Sequence, residues 1–173
     1  MNHWPYIVLA LVAAQRLIEI LYAERNTRAL IARGAVEIGR AHYPFIVLLH
    51  AAWLAAIALS LPANATIHWL PLALFVLLQV GRIWVIATLG PYWTTRIVTL
   101  AGAPLVYTGP YRFLRHPNYL VVMGEIAVLP LAFGELWVAI VFSVLNGAML
   151  IWRIREEDAA LEARRARVPA NQD

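Results

Sequence analysis

Five apolar segments dominate this chain and restrict it to folds in which lipid surrounds the helices. They cover residues 4–22, 43–61, 69–89, 118–133 and 136–152. A helix needs about 20 mainly apolar residues to cross a bilayer. Composition agrees, because 62% of the residues are hydrophobic and 14% are charged, whereas a soluble domain has about 25% charged residues. We therefore predict an all-α integral membrane protein with about five transmembrane helices.

The last two apolar segments are separated only by Gly134 and Glu135, which predicts a tight helical hairpin. Pro130 lies near the end of the shorter fourth segment and predicts a kinked or incomplete span. The tail over residues 156–167 is too charged for lipid and predicts a separate C-terminal surface helix. We expect a single domain over 1–173, with three transmembrane helices in 1–89 and a long loop, the hairpin and the tail helix in 90–167.

The basic residues indicate an orientation. All 14 are Arg and, apart from Arg16 and Arg82, they lie in residues 23–42, 90–117 and 153–167. The connectors on the other side, residues 62–68 and 134–135, contain none. Basic loops stay in the cytoplasm, so we predict an external N-terminus, a cytoplasmic C-terminus and an odd number of crossings. The first segment has no basic residue before it, so we expect it to be an uncleaved helix.

Charge and cysteine content exclude several classes of function. The formal net charge is +4, but the arginines flank apolar segments, so the membrane surface is the expected partner and no nucleic acid is expected. The chain has no Cys, which excludes disulfides, thiolate zinc sites and a cysteine nucleophile. No metal site is predicted.

The loop from Tyr92 to Tyr119 is unusually long and rich in aromatic and β-branched residues. It is either an interfacial belt of Trp, Tyr and Arg or a binding site. Arg115, His116 and Pro117 lead directly into the fourth apolar segment, and the free backbone donors of a helix start bind anions. His116 would then lie where it can hydrogen-bond a ligand near the membrane surface.

A second polar cluster follows the fifth apolar segment. Asn146, Arg153 and Glu157 have i, i+7 and i+11 spacing, which places them on one helical face. Arg153 and Glu157 can simply pair with each other. The alternative is that Glu156, Glu157 and Asp158 hold ribose hydroxyls or the positively charged part of a cofactor.

These two regions together resemble a known family. The pattern Gly109-Pro110-Tyr111-Arg112-x-x-Arg115-His116-Pro117-x-Tyr119, followed by Arg153-Ile154-x-Glu156-Glu157, resembles the isoprenylcysteine carboxyl methyltransferases over residues 80–162, and phospholipid methyltransferases more loosely. The resemblance implies that Arg153, with Asn146 on the same face, meets the acceptor. It implies S-adenosylmethionine as cofactor, contacted by Leu105, Val106, Tyr111, His116, Pro117, Asn118, Tyr119 and Glu157, with Glu156 beside them.

The sequence also departs from the family pattern. Val121 stands where the family often has Gly. In the N-terminal half, RLIEILYAERN and GRAHYPF are more similar to a bacterial branch that includes alkylpyrone and alkylresorcinol O-methyltransferases. We therefore predict an O-methyltransferase of a bacterial inner membrane, acting on a carboxylate or a hydroxyl of a lipophilic isoprenoid or long-chain substrate.

Glu125 lies inside the fourth apolar segment, where a carboxylate costs about 2.5–3.5 kcal/mol and usually faces a polar interior. An enol or phenol acceptor must lose a proton, so Glu125 is predicted to line the acceptor pocket as a base or orienting group. The alternative is a buried ion pair with an Arg such as Arg82.

Two other classes of function are kept open. An integral membrane reductase that uses NADPH can carry a similar His-Pro and Tyr pattern, although such proteins are usually much larger. A non-catalytic lipid-binding scaffold would use the arginines for headgroups. Binding of S-adenosylhomocysteine, of NADPH or of neither separates the three classes.

Overall fold

Five helices form most of the molecule in a computed structural model, which describes residues 3–62, 65–103 and 106–165, with side chains as far as residue 160. They are α1 (Trp4–Ala32), α2 (Tyr43–Ser60), α3 (Trp69–Leu89), α4 (Pro117–Ala132) and α5 (Leu136–Arg165). The prediction of a mainly helical protein is confirmed. Beside the helices, two three-residue strands, β1 (Val36–Ile38) and β2 (Ile97–Thr99), pair antiparallel. Short 3-10 turns cover Arg40–His42, Gly90–Tyr92 and Gly109–Arg112.

Four helical stretches within the described residues are long and apolar enough to cross a membrane. They are Trp4–Ala32, Arg40–Ser60, Trp69–Tyr92 and Leu136–Ala160. Helix α4 is apolar but has only 16 residues, which corresponds to about 24 Å of helix. The chain is an integral membrane protein, and its fourth apolar segment is the short one, as predicted.

Two predicted helix ends are wrong. Helix α1 continues to Ala32 instead of ending at residue 22, and α5 continues to Arg165, so the predicted tail helix is part of α5. Hydropathy marks where lipid ends, whereas a helix ends where its backbone is interrupted. Good helix formers follow both apolar stretches, and α1 stops just before Gly34, which has a φ of +90°. Helices α4 and α5 do form the predicted hairpin, with a turn at Gly134 (φ +82°).

The apolar core lies where four helices meet. Helix α4 packs between α3 and α5, and α2 also packs against α5. The core contains side chains from α1, α2, α3 and α4, of which the most buried are Trp53, Ile57, Ile126 and Leu129. At one end of this bundle, β1 pairs with β2, which brings the loop after α1 against the long loop after α3. Most of the arginines outside the helices are in these two loops.

Candidate active site

A cavity of about 480 Å³ lies at the arginine-rich end of the bundle. Residues from 89–103 and 106–116 form most of its wall, and the start of α4, the C-terminal part of α5 and Leu30 of α1 complete it. This space is termed the loop cavity below. Its volume falls in the range of about 300–1,000 Å³ that is typical of small-molecule sites.

The loop cavity collects most of the predicted site residues. Pro117 is buried in the first turn of α4, and Asn146 lies on α5 about 10 Å before Arg153 along the helix axis; neither lines the cavity. Glu156 also lies outside the lining, and Leu105 lies outside the described residues. The predicted residues that line the cavity together are Val106, Tyr111, His116, Asn118, Tyr119, Arg153 and Glu157.

Tyr119 connects the two predicted motifs. Its hydroxyl donates a hydrogen bond to the carboxylate of Glu157 and accepts one of 2.8 Å from Nε of Arg153. Arg153 and Glu157 are one turn apart on α5, and Tyr119 is in the first turn of α4. The antiparallel hairpin is therefore what brings the three side chains together. The direct pair of Arg153 and Glu157, which the sequence left open as one alternative, is not formed among the described side chains; the hydroxyl of Tyr119 bridges them instead.

His116 stands immediately before α4. Its ring stacks on the ring of Tyr119, with centroids 5.2 Å apart and planes 18° apart, and its Nε2 lies 3.2 Å from Oδ1 of Asp158. Pro117 occupies the first turn, and no side chain caps the helix start. Pro117 has no backbone N–H, and the N–H of Tyr119 donates to the carbonyl oxygen of His116 at 3.1 Å, which tightens the first turn of α4 at the cavity wall.

Several polar atoms in the cavity lining are buried without a hydrogen-bond partner among the described residues. They are the Oδ1 acceptor of Asn118 and the Nε–H donors of Trp93 and Arg96. An unpaired buried polar group costs about 1–3 kcal/mol, so such groups commonly mark a place where a ligand binds. S-adenosylmethionine offers donors, acceptors, an aromatic base and both signs of charge. The cavity lining supplies hydrogen-bond donors, acceptors, aromatic rings and carboxylates, and these side chains fit the groups of that cofactor.

Asn26 holds part of the cavity wall, and the sequence did not predict this contact. It is buried in α1, and its Nδ2 donates to the carbonyl oxygens of Trp93 (2.9 Å) and Gly90 (3.1 Å). Gly90 has a φ of +50°, which permits the sharp turn after α3. These hydrogen bonds hold the Gly90–Tyr92 turn and Trp93 against α1. No sequence signal identified Asn26, since it lay in a stretch read as a loop.

The positive charge of Arg96 in the cavity wall is balanced by carboxylates of α1 and of the loop after α1. Arg96 lies within 3.4 Å of carboxylate oxygens of both Glu37 and Glu24. Burial alone would lower the pKa of Arg96, but these carboxylates outweigh burial and raise it. Burial, reinforced by Glu157, also raises the pKa of Tyr111. The Tyr111 hydroxyl is therefore a protonated donor at neutral pH.

A second polar region lies between the helices and is termed the ion cluster. Arg82 contacts carboxylate oxygens of Glu19 (2.6 Å) and Glu125 (3.0 Å). Arg16 contacts the same two carboxylates at 2.8 and 2.9 Å. The remaining members are amides: Gln79 donates to Glu125 (2.7 Å), and Gln15 donates to Gln79 and Glu19.

The ion cluster accounts for the position of Glu125. Its carboxylate is held by two guanidinium groups and one amide, and it is not among the residues that line the loop cavity. This arrangement is the predicted alternative, a buried pair with Arg82, with Arg16 added. The structure does not bring Glu125 to Arg153 or Tyr119, and its role as a base stays a prediction.

Comparison with known proteins agrees with the family resemblance that the sequence motifs indicated. Residues 70–163 match the model of the isoprenylcysteine carboxyl methyltransferase (ICMT) family. An uncharacterized protein of Bacillus subtilis, YpbQ, is 36% identical over 161 residues, which cover 91% of this chain and 96% of that protein. An uncharacterized protein of Haemophilus influenzae is 26% identical over 161 residues, 90% of this chain and 93% of that protein. No solved structure matches the chain.

Proposed function

The chain belongs to the isoprenylcysteine carboxyl methyltransferase (ICMT) family of membrane methyltransferases, and from this premise we propose a specific reaction for it. The protein transfers the methyl group of S-adenosylmethionine to a carboxylate or hydroxyl oxygen of a lipophilic isoprenoid or long-chain substrate. The observation that carries this proposal is the meeting of both predicted motifs in the loop cavity, through the bridge of Glu157, Tyr119 and Arg153.

Different residues of the loop cavity suit different parts of the cofactor. The carboxylates of Glu157 and Asp158 suit ribose hydroxyls or a positively charged group, and Asn118 Oδ1 and Trp93 Nε1 supply an acceptor and a donor that lack partners. Arg115, which also lines the cavity, suits a carboxylate. When bound, the sulfonium cofactor supplies an already activated methyl group.

The protein then has to orient the acceptor and exclude water. Tyr119 uses Nε of Arg153, which leaves the two terminal amino groups of that guanidinium for an acceptor oxygen. Arg153 is buried, and the part of α5 that precedes it is apolar and lies in the helical bundle. A lipophilic acceptor lying in the bilayer can therefore reach Arg153 with only its polar end leaving the lipid.

We also propose the predicted orientation, with the N-terminus outside and the C-terminus in the cytoplasm of a bacterial inner membrane. The loops that surround the cavity carry the arginines, and basic loops stay in the cytoplasm. This orientation gives the loop cavity access to cytoplasmic S-adenosylmethionine. The whole of residues 1–173 would act as one domain, because α1 supplies Leu30 and Asn26 to a site formed mainly by residues after 89.

Calorimetric binding of S-adenosylhomocysteine to detergent-purified protein tests the proposal. The wild type should bind with micromolar affinity, and His116→Ala and Glu157→Ala should each weaken binding by about tenfold or more, roughly 1.4 kcal/mol. Arg28→Ala is the matched control, since Arg28 is exposed and pairs only with Glu24 among the described residues. Absence of binding by folded wild type would overturn the proposal. Binding of NADPH instead would favour a reductase, and binding of neither nucleotide would favour a lipid-binding scaffold.

A further inference from the structure

Phe113 and Leu114 are exposed apolar side chains in the segment that joins the Gly109–Arg112 turn to α4. Phe113 is 72% exposed and Leu114 is 46% exposed, although Tyr111 and Arg115 on either side of this segment both line the loop cavity. Residues 112–114 are termed the outer turn below. Single exposed apolar residues are common on protein surfaces, so the meaning of this pair depends on where the outer turn lies.

The backbone holds the outer turn in a defined position. The N–H groups of Phe113 and Leu114 both donate to the carbonyl oxygen of Pro110, at 3.2 and 3.1 Å, and Pro110 is buried. Gly109 has a φ of +56°, and a Cβ there would lie 2.5 Å from Oγ1 of Thr88 near the end of α3. The outer turn is therefore anchored against α3, and its exposed side chains keep a fixed direction.

The position of α4 places the outer turn at the edge of the bilayer. Helix α4 starts at Pro117 and packs between α3 and α5, which are both long and apolar enough to cross a membrane. It has 16 residues, about 24 Å of helix, whereas the hydrocarbon layer is about 30 Å thick. Leu120 and Met123 of α4 are exposed and therefore face lipid. Phe113 and Leu114 continue this apolar surface ahead of the helix and supply part of the missing length.

The charged residue of the outer turn is not neutralised within the protein. Arg112 is exposed and forms no ion pair among the described residues, and its guanidinium lies 5.8 Å from the centroid of the Phe113 ring. In contrast, the exposed Arg28 is paired with Glu24. A guanidinium beside an apolar ring matches the boundary between lipid phosphates and acyl chains. A free positive charge at that boundary favours anionic over zwitterionic lipid.

We propose that the outer turn docks on the anionic phospholipids of the bilayer that surrounds the protein. Phe113 and Leu114 enter the outermost part of the acyl chains, and the Arg112 guanidinium binds lipid phosphate. The loop between β2 and α4 then serves two partners, since Tyr111 and His116 line the cavity while residues 112–114 face lipid. The cavity wall is consequently fixed at the level of the headgroups, whichever reaction takes place inside it.

The first experiment measures the depth of residue 114 in the membrane. The chain has no Cys, so Leu114→Cys can carry a single spin label while Arg112 and Phe113 stay intact. The protein is placed in nanodiscs of equal parts of phosphatidylcholine and phosphatidylglycerol. Collisions of the label with oxygen, which concentrates in lipid, are then compared with collisions with a water-soluble nickel chelate.

We expect oxygen to dominate at residue 114, as it should for a label at Leu120→Cys on the lipid-facing surface of α4. Ala101→Cys is the matched water-exposed control, because Ala101 is exposed in the same loop and does not line the cavity. Nickel accessibility at residue 114 equal to that at residue 101 would overturn the docking on lipid and would leave the outer turn free for a protein partner.

A second experiment measures the preference for anionic lipid. A bimane fluorophore on Leu114→Cys is quenched by lipids with a nitroxide near the head of the acyl chain, either phosphatidylglycerol or phosphatidylcholine at the same low fraction. One arginine at the surface favours anionic lipid by about fivefold, so phosphatidylglycerol should be enriched about fivefold near residue 114. Arg112→Gln should abolish this difference. Arg28→Gln, outside the outer turn, should leave it unchanged.

Equal quenching by the two lipids with Arg112 present would overturn the anionic preference, even with the label at residue 114 in lipid. A preference that persists in Arg112→Gln would equally overturn the role of Arg112. Neither experiment uses the cofactor. Their failure is therefore distinct from failure of the methyltransferase proposal, which S-adenosylhomocysteine binding tests.

Discussion

The protein buries polar side chains in two regions that follow opposite rules. In the ion cluster, two arginines and two glutamates neutralise each other, and amides of Gln15 and Gln79 complete the hydrogen bonding. Around the loop cavity, polar atoms of Trp93, Arg96 and Asn118 have no hydrogen-bond partner among the described residues. A closed network stabilises one arrangement of helices, whereas unpaired groups favour a ligand that completes them. The difference separates the part that holds the bundle together from the part that is proposed to react.

The largest effect on stability is expected from Glu125→Ala, which removes one carboxylate from the ion cluster. Removing one partner of a buried ion pair leaves an uncompensated charge, which destabilises by about 3–5 kcal/mol. Arg16 and Arg82 would each lose one of their two carboxylates. We expect a strong fall in the thermal midpoint of the purified protein and in its yield from membranes.

The matched control for that experiment is Glu24→Ala, which removes a partly exposed carboxylate from the same kind of pair. A thermal midpoint like that of the wild type in Glu125→Ala would contradict the structural role. Glu125→Gln separates the two interpretations of this residue, since it keeps the size and the hydrogen bonding. Full methyl transfer by Glu125→Gln would remove Glu125 as a base, and loss of transfer with an unchanged midpoint would restore that role.

A smaller effect, confined to the site, is expected from Tyr119→Phe. The phenyl ring keeps the stacking on His116, but Arg153 and Glu157 lose the hydroxyl that bridges them. Hydrogen bonds to charged groups contribute about 1.5–3 kcal/mol, so S-adenosylhomocysteine affinity should fall by roughly ten- to a hundredfold. Calorimetry measures this directly. Tyr6→Phe, in an exposed position on α1, serves as control, and equal affinities of the two variants would show that the bridge does not support the site.

Asn26→Leu tests whether α1 shapes the loop cavity. The substitution removes the donors to the carbonyls of Trp93 and Gly90, which line or adjoin the cavity wall. The buried carbonyl of Trp93 would lose this donor, at about 1 kcal/mol or more, whereas the carbonyl of Gly90 would keep the backbone N–H of Trp93. We expect cofactor affinity to fall severalfold with a modest fall in thermal midpoint. A lowered midpoint with wild-type affinity would mean that Asn26 stabilises the fold without positioning the site.

The sequence predicted the arrangement of this protein better than its details, for physical reasons. Hydropathy located every helix because lipid selects apolar side chains, but it missed the extension of α1 to Ala32, since a helix continues wherever its backbone is uninterrupted. The family resemblance is confirmed by the match over residues 70–163. Most of the predicted site residues meet at the loop cavity, because the tight hairpin places the start of α4 beside the C-terminal part of α5.

What the sequence did not reveal depends on contacts between distant residues. Asn26 reaches Trp93 across 67 positions, and the strand pairing of β1 with β2 places residues 36–38 beside 97–99. Neither contact leaves a local pattern. The same holds for Glu125, whose surroundings are set by side chains of α1 and α3.

The smallest effect is expected from Trp93→Phe. This variant also tests most directly the difference between the ion cluster and the loop cavity. This change keeps an aromatic ring but removes an Nε–H that is buried without a partner. Removing a satisfied donor costs stability, whereas removing an unsatisfied one relieves a desolvation penalty. We therefore expect an unchanged or slightly higher thermal midpoint, together with severalfold weaker S-adenosylhomocysteine binding, because the ligand loses a donor. Opposite signs in the two measurements would identify Trp93 as a residue that serves the ligand. A fall in both would place Trp93 with the ion cluster, among the residues that hold the fold together.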